Sequence, residues 1–220
     1  MVVASLGVSS PAWRAARAAA TIGSLLRGET PADDALAALS SLGEAPGGWW
    51  HTLGDARRAG GVTLLLPRFG DPRGLVLPRD MRAEAALGWD GALGGTWLIP
   101  SDGLGWRVAS APSLGRTPPD EEEASRALRA AVVDAAHTVD LLDVVEHGAN
   151  AEARQDLERA VDSWVLGPPP LSPASRHLAS LGLRILFALD SARNLVDTGP
   201  LESAARDAVE SAFTTASTAR

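Results

Sequence analysis

The sequence predicts an α+β protein: a small, mostly antiparallel sheet in the middle of the chain, flanked by two N-terminal helices and a C-terminal antiparallel helical bundle. Apolar residues recur at helical spacing before residue 43 and again after residue 119. Between these regions, short apolar runs are separated by turns rich in glycine and proline, which is typical of strands. The connections between the runs are too short for parallel crossovers, so we expect antiparallel pairing.

Two helices are predicted before the sheet. The pair Ser10–Pro11 combines an N-cap residue with proline at the first helical position, and Gly28 is a typical helix stop. These signals indicate a helix over 11–27. A second start signal at Thr30–Pro31 is followed by leucines at helical spacing, which indicates a helix over 31–42.

The sheet is predicted over about 60–112. Four short apolar runs are typical of strands: 62–66, 75–77, 96–99 and 106–109. The turn-forming sequence Gly70–Gly74 would join the first two runs as a hairpin, and Ser101–Gly105 would join the last two. Residues 79–87 are predicted to form a short helix, and Val2–Leu6 an additional strand.

The C-terminal region is predicted to contain four helices. Their expected positions are 120–147, 150–166, a third helix that starts at Ser172–Pro173, and a fourth that ends at about Phe213. The third helix carries the strongest apolar stripe, so its members are expected among the most buried residues: Leu178, Leu181, Ile185 and Leu189. Residues 1–115 and 116–220 then form either two domains or one α+β domain whose helices cover a sheet face.

The composition excludes several chemistries. The chain has no cysteine, tyrosine or lysine, so its 20 basic residues are all arginine. Thiolate nucleophiles, cysteine-ligated metals and lysine Schiff bases are therefore impossible. A net charge of −7 disfavours binding to nucleic acid. With no disulfides, no signal-peptide pattern and no apolar run near the roughly 20 residues that span a bilayer, we expect a cytoplasmic protein that does not bind membranes.

The first candidate binding site is the segment Trp49, Trp50 and His51. Five of the seven tryptophans lie between residues 49 and 106, and tryptophan is enriched at interaction hot spots. The alternative is that these side chains fill the core of the sheet, since only three phenylalanines are available for that purpose. Neighbouring side chains point in different directions, so Trp49 and Trp50 can both be buried only if the segment is covered on two sides.

A second candidate is the turn that contains Asp71 and Arg73. A glycine-flanked loop with an arginine can bind an anion through backbone N–H groups and the guanidinium. The loop matches no phosphate-binding fingerprint, however, and its residues are also those of an ordinary turn.

A third candidate lies on the helix over 120–147. His137, Asp140, Asp143 and His147 fall within one arc of about 120° on that helix. Asp143 and His147 are four residues apart, so both could ligate one divalent metal. This arc lies away from the apolar stripe, as on any solvated helix face, and we therefore predict no metal and no cofactor.

The residues favour a non-enzymatic cytoplasmic interaction or scaffold protein. Such a protein would self-associate, as a homodimer, or dock an unknown protein partner through apolar helix faces and the tryptophan-bearing region. The alternative is a small-molecule binder, or a hydrolase- or isomerase-type enzyme. It would use histidines and carboxylates in a pocket between sheet and helices, with or without a metal.

The prediction of no metal is testable by isothermal titration with zinc. We expect no site tighter than roughly 10 µM, because the His137–His147 arc faces away from the apolar stripe and has at most one plausible ligand from a second element, His177. Stoichiometric heat that His147→Ala abolishes would instead establish a metal site with Asp143 and His147 as ligands.

Overall fold

The structure is a computed structural model. It describes residues 10–68, 71–75, 77, 83–91, 94–101, 103, 105–111, 113–114, 118–138, 151–167, 169, 171–192 and 199–214. These residues form two compact units. The sheet unit comprises the described residues of 10–118 together with 213–214, and the helical unit comprises those of 119–212. The proposed division into domains at residue 115 stays a prediction.

The predicted α+β class is confirmed: the described residues form seven helices and one four-stranded antiparallel sheet. The helices are α1 (Pro11–Leu26), α2 (Ala32–Ser41), α3 (Trp49–Ala59), α4 (Glu121–Thr138), α5 (Ala151–Val165), α6 (Pro173–Ala192) and α7 (Gly199–Phe213). The strands are β1 (Thr63–Leu65), β2 (Ala86–Gly91), β3 (Gly94–Pro100) and β4 (Trp106–Ala111).

The strands follow one another in the sheet in chain order, β1-β2-β3-β4, and every neighbouring pair is antiparallel. The predicted strands over 96–99 and 106–109 lie within β3 and β4. The turn between them is closed where the backbone N–H of Ser101 donates to the carbonyl of Gly105 at 3.0 Å. Helix α1 begins as predicted, with the Ser10 hydroxyl accepting from the N–H of Trp13 at 3.1 Å.

Two predictions about the first half of the sheet are wrong. Residues 79–87 do not form a helix that reaches Leu87, because Ala86 and Leu87 are strand residues that pair with β1. Leu75 and Leu77 are not strand residues either. Leu75 belongs to the buried cluster on one face of the sheet and Leu77 packs against that cluster, so these two residues cover the sheet instead of extending it.

Helix α3 was not predicted, although its pattern is present in the sequence. Its buried residues Trp49, Thr52, Leu53 and Ala56 are spaced as on one helix face. The helix ends at Gly60, which adopts the left-handed conformation (φ 79°) typical of a C-terminal glycine.

The two faces of the sheet are covered by different parts of the sheet unit. Side chains alternate along β3, so Trp97 and Leu98 point to opposite faces. Trp97 belongs to a buried cluster with Leu75 and Leu114, which come from the loops. On the opposite face, helix α1 contacts β1, β2 and β3, and α3 contacts β2. The small side chains of α1, mostly alanine, allow this helix to lie close to the sheet.

Glycine on β2 makes room for the largest side chain of the sheet. Gly88 pairs with Trp97 across β2 and β3, and a Cβ at Gly88 would lie 2.4 Å from the indole ring. The Trp97 ring therefore lies directly over the backbone of β2. The Asp90 carboxylate accepts from the backbone N–H of Leu114 at 3.0 Å, which fixes the segment that closes this face.

In the helical unit, α6 contacts α4 and α5 and approaches α7 closely at Gly182. A Cβ at Gly182 would lie 2.8 Å from the carbonyl oxygen of Ala205. The buried face of α6 is centred on this contact. Leu178 and Leu189 are buried as predicted, but Leu181 and Ile185 are only half-buried. A fully buried residue of this helix that the stripe did not include is Leu183.

Some predictions lie outside the described residues. These are the strand over Val2–Leu6 and the continuation of α4 from residue 139 to His147. Among the described residues, no helix has the length and apolar character needed to cross a membrane.

The packing of Trp97 on Gly88 predicts that Gly88→Ala is destabilising. The added methyl overlaps the indole, and relieving the overlap should cost about 1–3 kcal/mol in the free energy of unfolding, measured by urea denaturation. Gly91→Ala on the same strand is the control, because its Cβ would meet only the Gly94 carbonyl at 3.5 Å. Equal stabilities of the two variants would contradict this account of the sheet core.

Candidate functional site

The guanidinium of Arg14 joins three elements of the sheet unit. Arg14 lies on α1 and is 2% exposed. Its Nε donates to the carbonyl of Leu42 at 3.0 Å, just past the end of α2. Its two terminal nitrogens donate to three carbonyls of the β3–β4 turn: Ser101 at 3.1 Å, Gly105 at 2.7 Å, and Gly103. Burial lowers the pKa of Arg14 from its ordinary value, because the charged form loses water.

Trp106 packs on this guanidinium and shares one of its acceptors, and Trp49 packs in turn on Trp106. Arg14 lies over the ring of Trp106, with 5.2 Å between the guanidinium carbon and the ring centroid. The Trp106 Nε1 donates to the same Leu42 carbonyl at 3.2 Å, and the Trp49 Nε1 donates to the Gly43 carbonyl at 2.7 Å. The two indoles meet edge to face, with centroids 5.2 Å apart. The carbonyls that follow α2 are thus satisfied by side chains of three other elements.

Helix α3 is fixed by one face and presents the other to solvent. Trp49 is 5% exposed, and Leu53 and Ala56 lie buried on the same face. Trp50, one position later and therefore about 100° around the helix, is 64% exposed. Trp49 is held by a hydrogen bond and an aromatic contact, which fix the first turn of α3. The exposed Trp50 extends from that same turn.

The outward face of α3 includes a row formed by Trp50, Gly54 and Arg58, which follow one another at intervals of four residues, and the exposed His51 and Arg57 lie beside this row. Arg58 is exposed and forms an ion pair with Asp55. Its guanidinium extends back over Gly54, since a Cβ at Gly54 would lie 3.5 Å from the Arg58 Nη1. This face therefore combines an exposed indole, a position without a side chain and a cation that lies over that position.

The structure separates the members of the first predicted site. Trp49 lies in the core, and Trp50 and His51 lie at the surface of α3. The remaining tryptophans of the sheet region, Trp89, Trp97 and Trp106, are all buried. Among the described tryptophans of this region, only Trp50 is exposed to solvent.

The turn with Asp71 and Arg73 is held by internal bonds. The Asp71 carboxylate accepts from the backbone N–H of Arg73 at 3.1 Å, and the backbones of Arg68 and Asp71 exchange two hydrogen bonds. The Arg73 backbone adopts a left-handed conformation (φ 55°), and its side chain is 2% exposed. Anion binding here stays a prediction, and the Arg73 guanidinium is turned into the protein.

The predicted metal arc lies mostly outside the described part of the chain: Asp140, Asp143 and His147 fall there, as does the side chain of His137. Within the described part, no three histidines and carboxylates are grouped so as to hold a metal ion. His51 belongs to the sheet unit and His177 to the helical unit. The enzyme alternative stays a prediction.

Arg14 was missed by the sequence analysis. The signal was available: within α1 the buried residues are almost all small or apolar, and an arginine among them needs buried acceptors. The sequence does not say where those acceptors are, because they lie 28 to 91 positions away along the chain.

The network predicts that Arg14→Lys destabilises the protein strongly. The donors of a lysine ammonium are all on one atom and cannot reach the four carbonyls spread around the edge of the guanidinium, so buried acceptors would be left unpaired. We expect a loss of about 2–4 kcal/mol in the free energy of unfolding, with faster amide exchange in the β3–β4 turn. Arg107→Lys is the matched control, because Arg107 is an exposed residue of β4. This change should alter stability by less than about 0.5 kcal/mol. Equal stabilities would show that the network contributes little.

Comparison of this chain with family models, with curated proteins and with solved structures finds no match. The function must therefore be inferred from the side chains themselves and from what the outward face of α3 can bind.

Proposed function

We propose that this protein is a non-enzymatic interaction protein that docks a protein partner through the outward face of α3. The observation that carries the proposal is the contrast between Trp49, 5% exposed, and Trp50, 64% exposed, on the same helical turn. A tryptophan offers a large apolar area with few rotatable bonds, so it gains more on docking than other side chains do.

The surroundings of Trp50 favour contact with a partner. Gly47 and Gly48 precede α3 in left-handed conformations (φ 75° and 84°), and Gly54 follows one turn later. With these small neighbours, Trp50 is 64% exposed. Since Trp49 fixes the first turn of α3, binding at Trp50 would need little ordering of the backbone, which favours affinity.

The charge of the outward face also suits a protein partner. Arg57 and Arg58 are exposed in the last turn of α3, on a chain whose net charge is −7. Arginine beside tryptophan is the composition of an interface hot spot. We further propose that the protein acts in the cytoplasm, which a cysteine-free chain fits because it forms no disulfides.

The first test separates the structural role of Trp49 from the docking role of Trp50. Trp50→Ala should change the free energy of unfolding by less than about 0.5 kcal/mol, because its side chain has few contacts to lose. Trp49→Ala should cost about 3–5 kcal/mol through a cavity and an unpaired Gly43 carbonyl. Both values are measured by urea denaturation of the full chain.

The docking role itself is tested by site-specific crosslinking. A photoreactive phenylalanine analogue at position 50 in the full chain, expressed in its native host, should yield a covalent adduct with a polypeptide. The same analogue at exposed position 166, on the helical unit, is the control and should not yield that adduct. Absence of any polypeptide adduct specific to position 50 would rule the proposal out.

A further inference from the structure

We infer that the partner at the outward face of α3 is a second copy of this chain, whose own α3 packs antiparallel against the first across a two-fold axis. The inference rests on the proposed function, because it names the occupant of the same surface. Trp50 and Gly54 are four residues apart on one side of the helix. If the two-fold axis passes between them, Trp50 of each copy lies opposite Gly54 of the other.

The outward face has the shape needed to fit itself. Rows of residues spaced by four form the ridges of a helix, and such ridges pack into the grooves of a neighbouring helix. Here the row places the largest side chain, Trp50, one turn from Gly54, a position with no side chain of its own and with the guanidinium of Arg58 over its backbone. A two-fold axis brings the Trp50 side chain of each copy (the knob) to the Gly54 position of the other (the hole). One face of the helix therefore supplies both halves of the contact.

The electrostatics of the hole suit an indole. The guanidinium of Arg58 lies over Gly54 and pairs with Asp55. A Trp50 ring that arrives from the second copy would meet this cation with its face, which is a favourable cation–π arrangement. The contact forms twice, once at each end of the two-fold pair.

The fold of the sheet unit does not need a glycine at position 54. Among the described residues, a Cβ there would meet the Arg58 Nη1 alone, at 3.5 Å, which is an ordinary contact, and the backbone is regular helix. Glycine within a helix is less stable than alanine. No described contact within one copy requires glycine at position 54. We therefore attribute the glycine to the contact with the helix of a second copy.

The pair should be weak. Helix α3 is only 11 residues long. The area that its outward face can bury is therefore far below the roughly 800 Å² that each partner contributes to a stable interface. We expect a dissociation constant of roughly 10–100 µM, with the chain monomeric well below that range and dimeric well above it.

Sedimentation velocity of the full chain over this concentration range tests the inference. Wild-type protein should shift from monomer to dimer, and Trp50→Ala should weaken the dimer at least about tenfold. Leu166→Ala is the matched control, because Leu166 is an equally exposed apolar residue (57%) outside α3. A wild-type chain that stays monomeric, or equal losses from Trp50→Ala and Leu166→Ala, would overturn the inference.

A second experiment tests the register. Gly54→Trp fills the hole, so this variant alone should not dimerise, and thermal unfolding should show that it folds. Mixed with Trp50→Ala, it should form a heterodimer, because the new indole lies opposite the shortened residue and the native knob and hole remain on the other side. Failure of the mixture to associate, while wild type dimerises, would overturn this arrangement of the helices.

The crosslinking experiment distinguishes the failure of this inference from the failure of the proposed function. An adduct at position 50 between two copies of the chain supports both. An adduct with a different protein supports docking through α3 but overturns the second copy as the occupant. No specific adduct overturns both.

Discussion

The buried cation of Arg14 connects three segments of the sheet unit. The Arg14 guanidinium is removed from water, and this costs free energy unless its donors are paired. Carbonyls from the end of α2 and from the β3–β4 turn supply that pairing. Both segments must therefore be held at fixed distances from α1. The carbonyl of Leu42 lies at the C-terminal end of α2, where the helix dipole also favours a positive charge.

The position of α3 follows from this arrangement. The Leu42 carbonyl bound by Arg14 also accepts from Trp106, and the next carbonyl, Gly43, accepts from Trp49. Trp49 in turn packs edge to face on Trp106. The first turn of α3 is thus anchored to the strand that carries Trp106 and to the end of α2. The direction in which Trp50 points is a consequence of contacts made by its neighbour.

The local signals in the sequence predicted the elements that depend on local physics. Ser10–Pro11 marked the start of α1, and the residues of β3 and β4 formed recognisable apolar runs. The errors arose where partners are distant in the chain. Nothing local shows that β1 pairs with Ala86 and Leu87 and not with the nearer run at Leu75, because that choice depends on how Leu75 and Leu114 close over Trp97.

The candidate site was predictable only in part, for the same reason. The sequence identified Trp49 and Trp50 as a pair that cannot both be buried in one layer, but not which of them is exposed. That outcome depends on Arg14, whose acceptors lie up to 91 positions away. Helix α3 itself was detectable from the spacing of its buried residues, but its two adjacent tryptophans and the pairs of glycines on either side of it are typical of strands and turns.

The glycines of the sheet unit show how the inside and the outside of a protein place different demands on the same residue. At Gly88 the interior leaves no room for a side chain, since the Trp97 ring occupies the position of a Cβ. At Gly54 the interior imposes no such limit, and a methyl group would fit. A helix that carries a destabilising residue without an internal cause, next to an exposed tryptophan held rigidly by the core, has the features of a surface shaped for another helix.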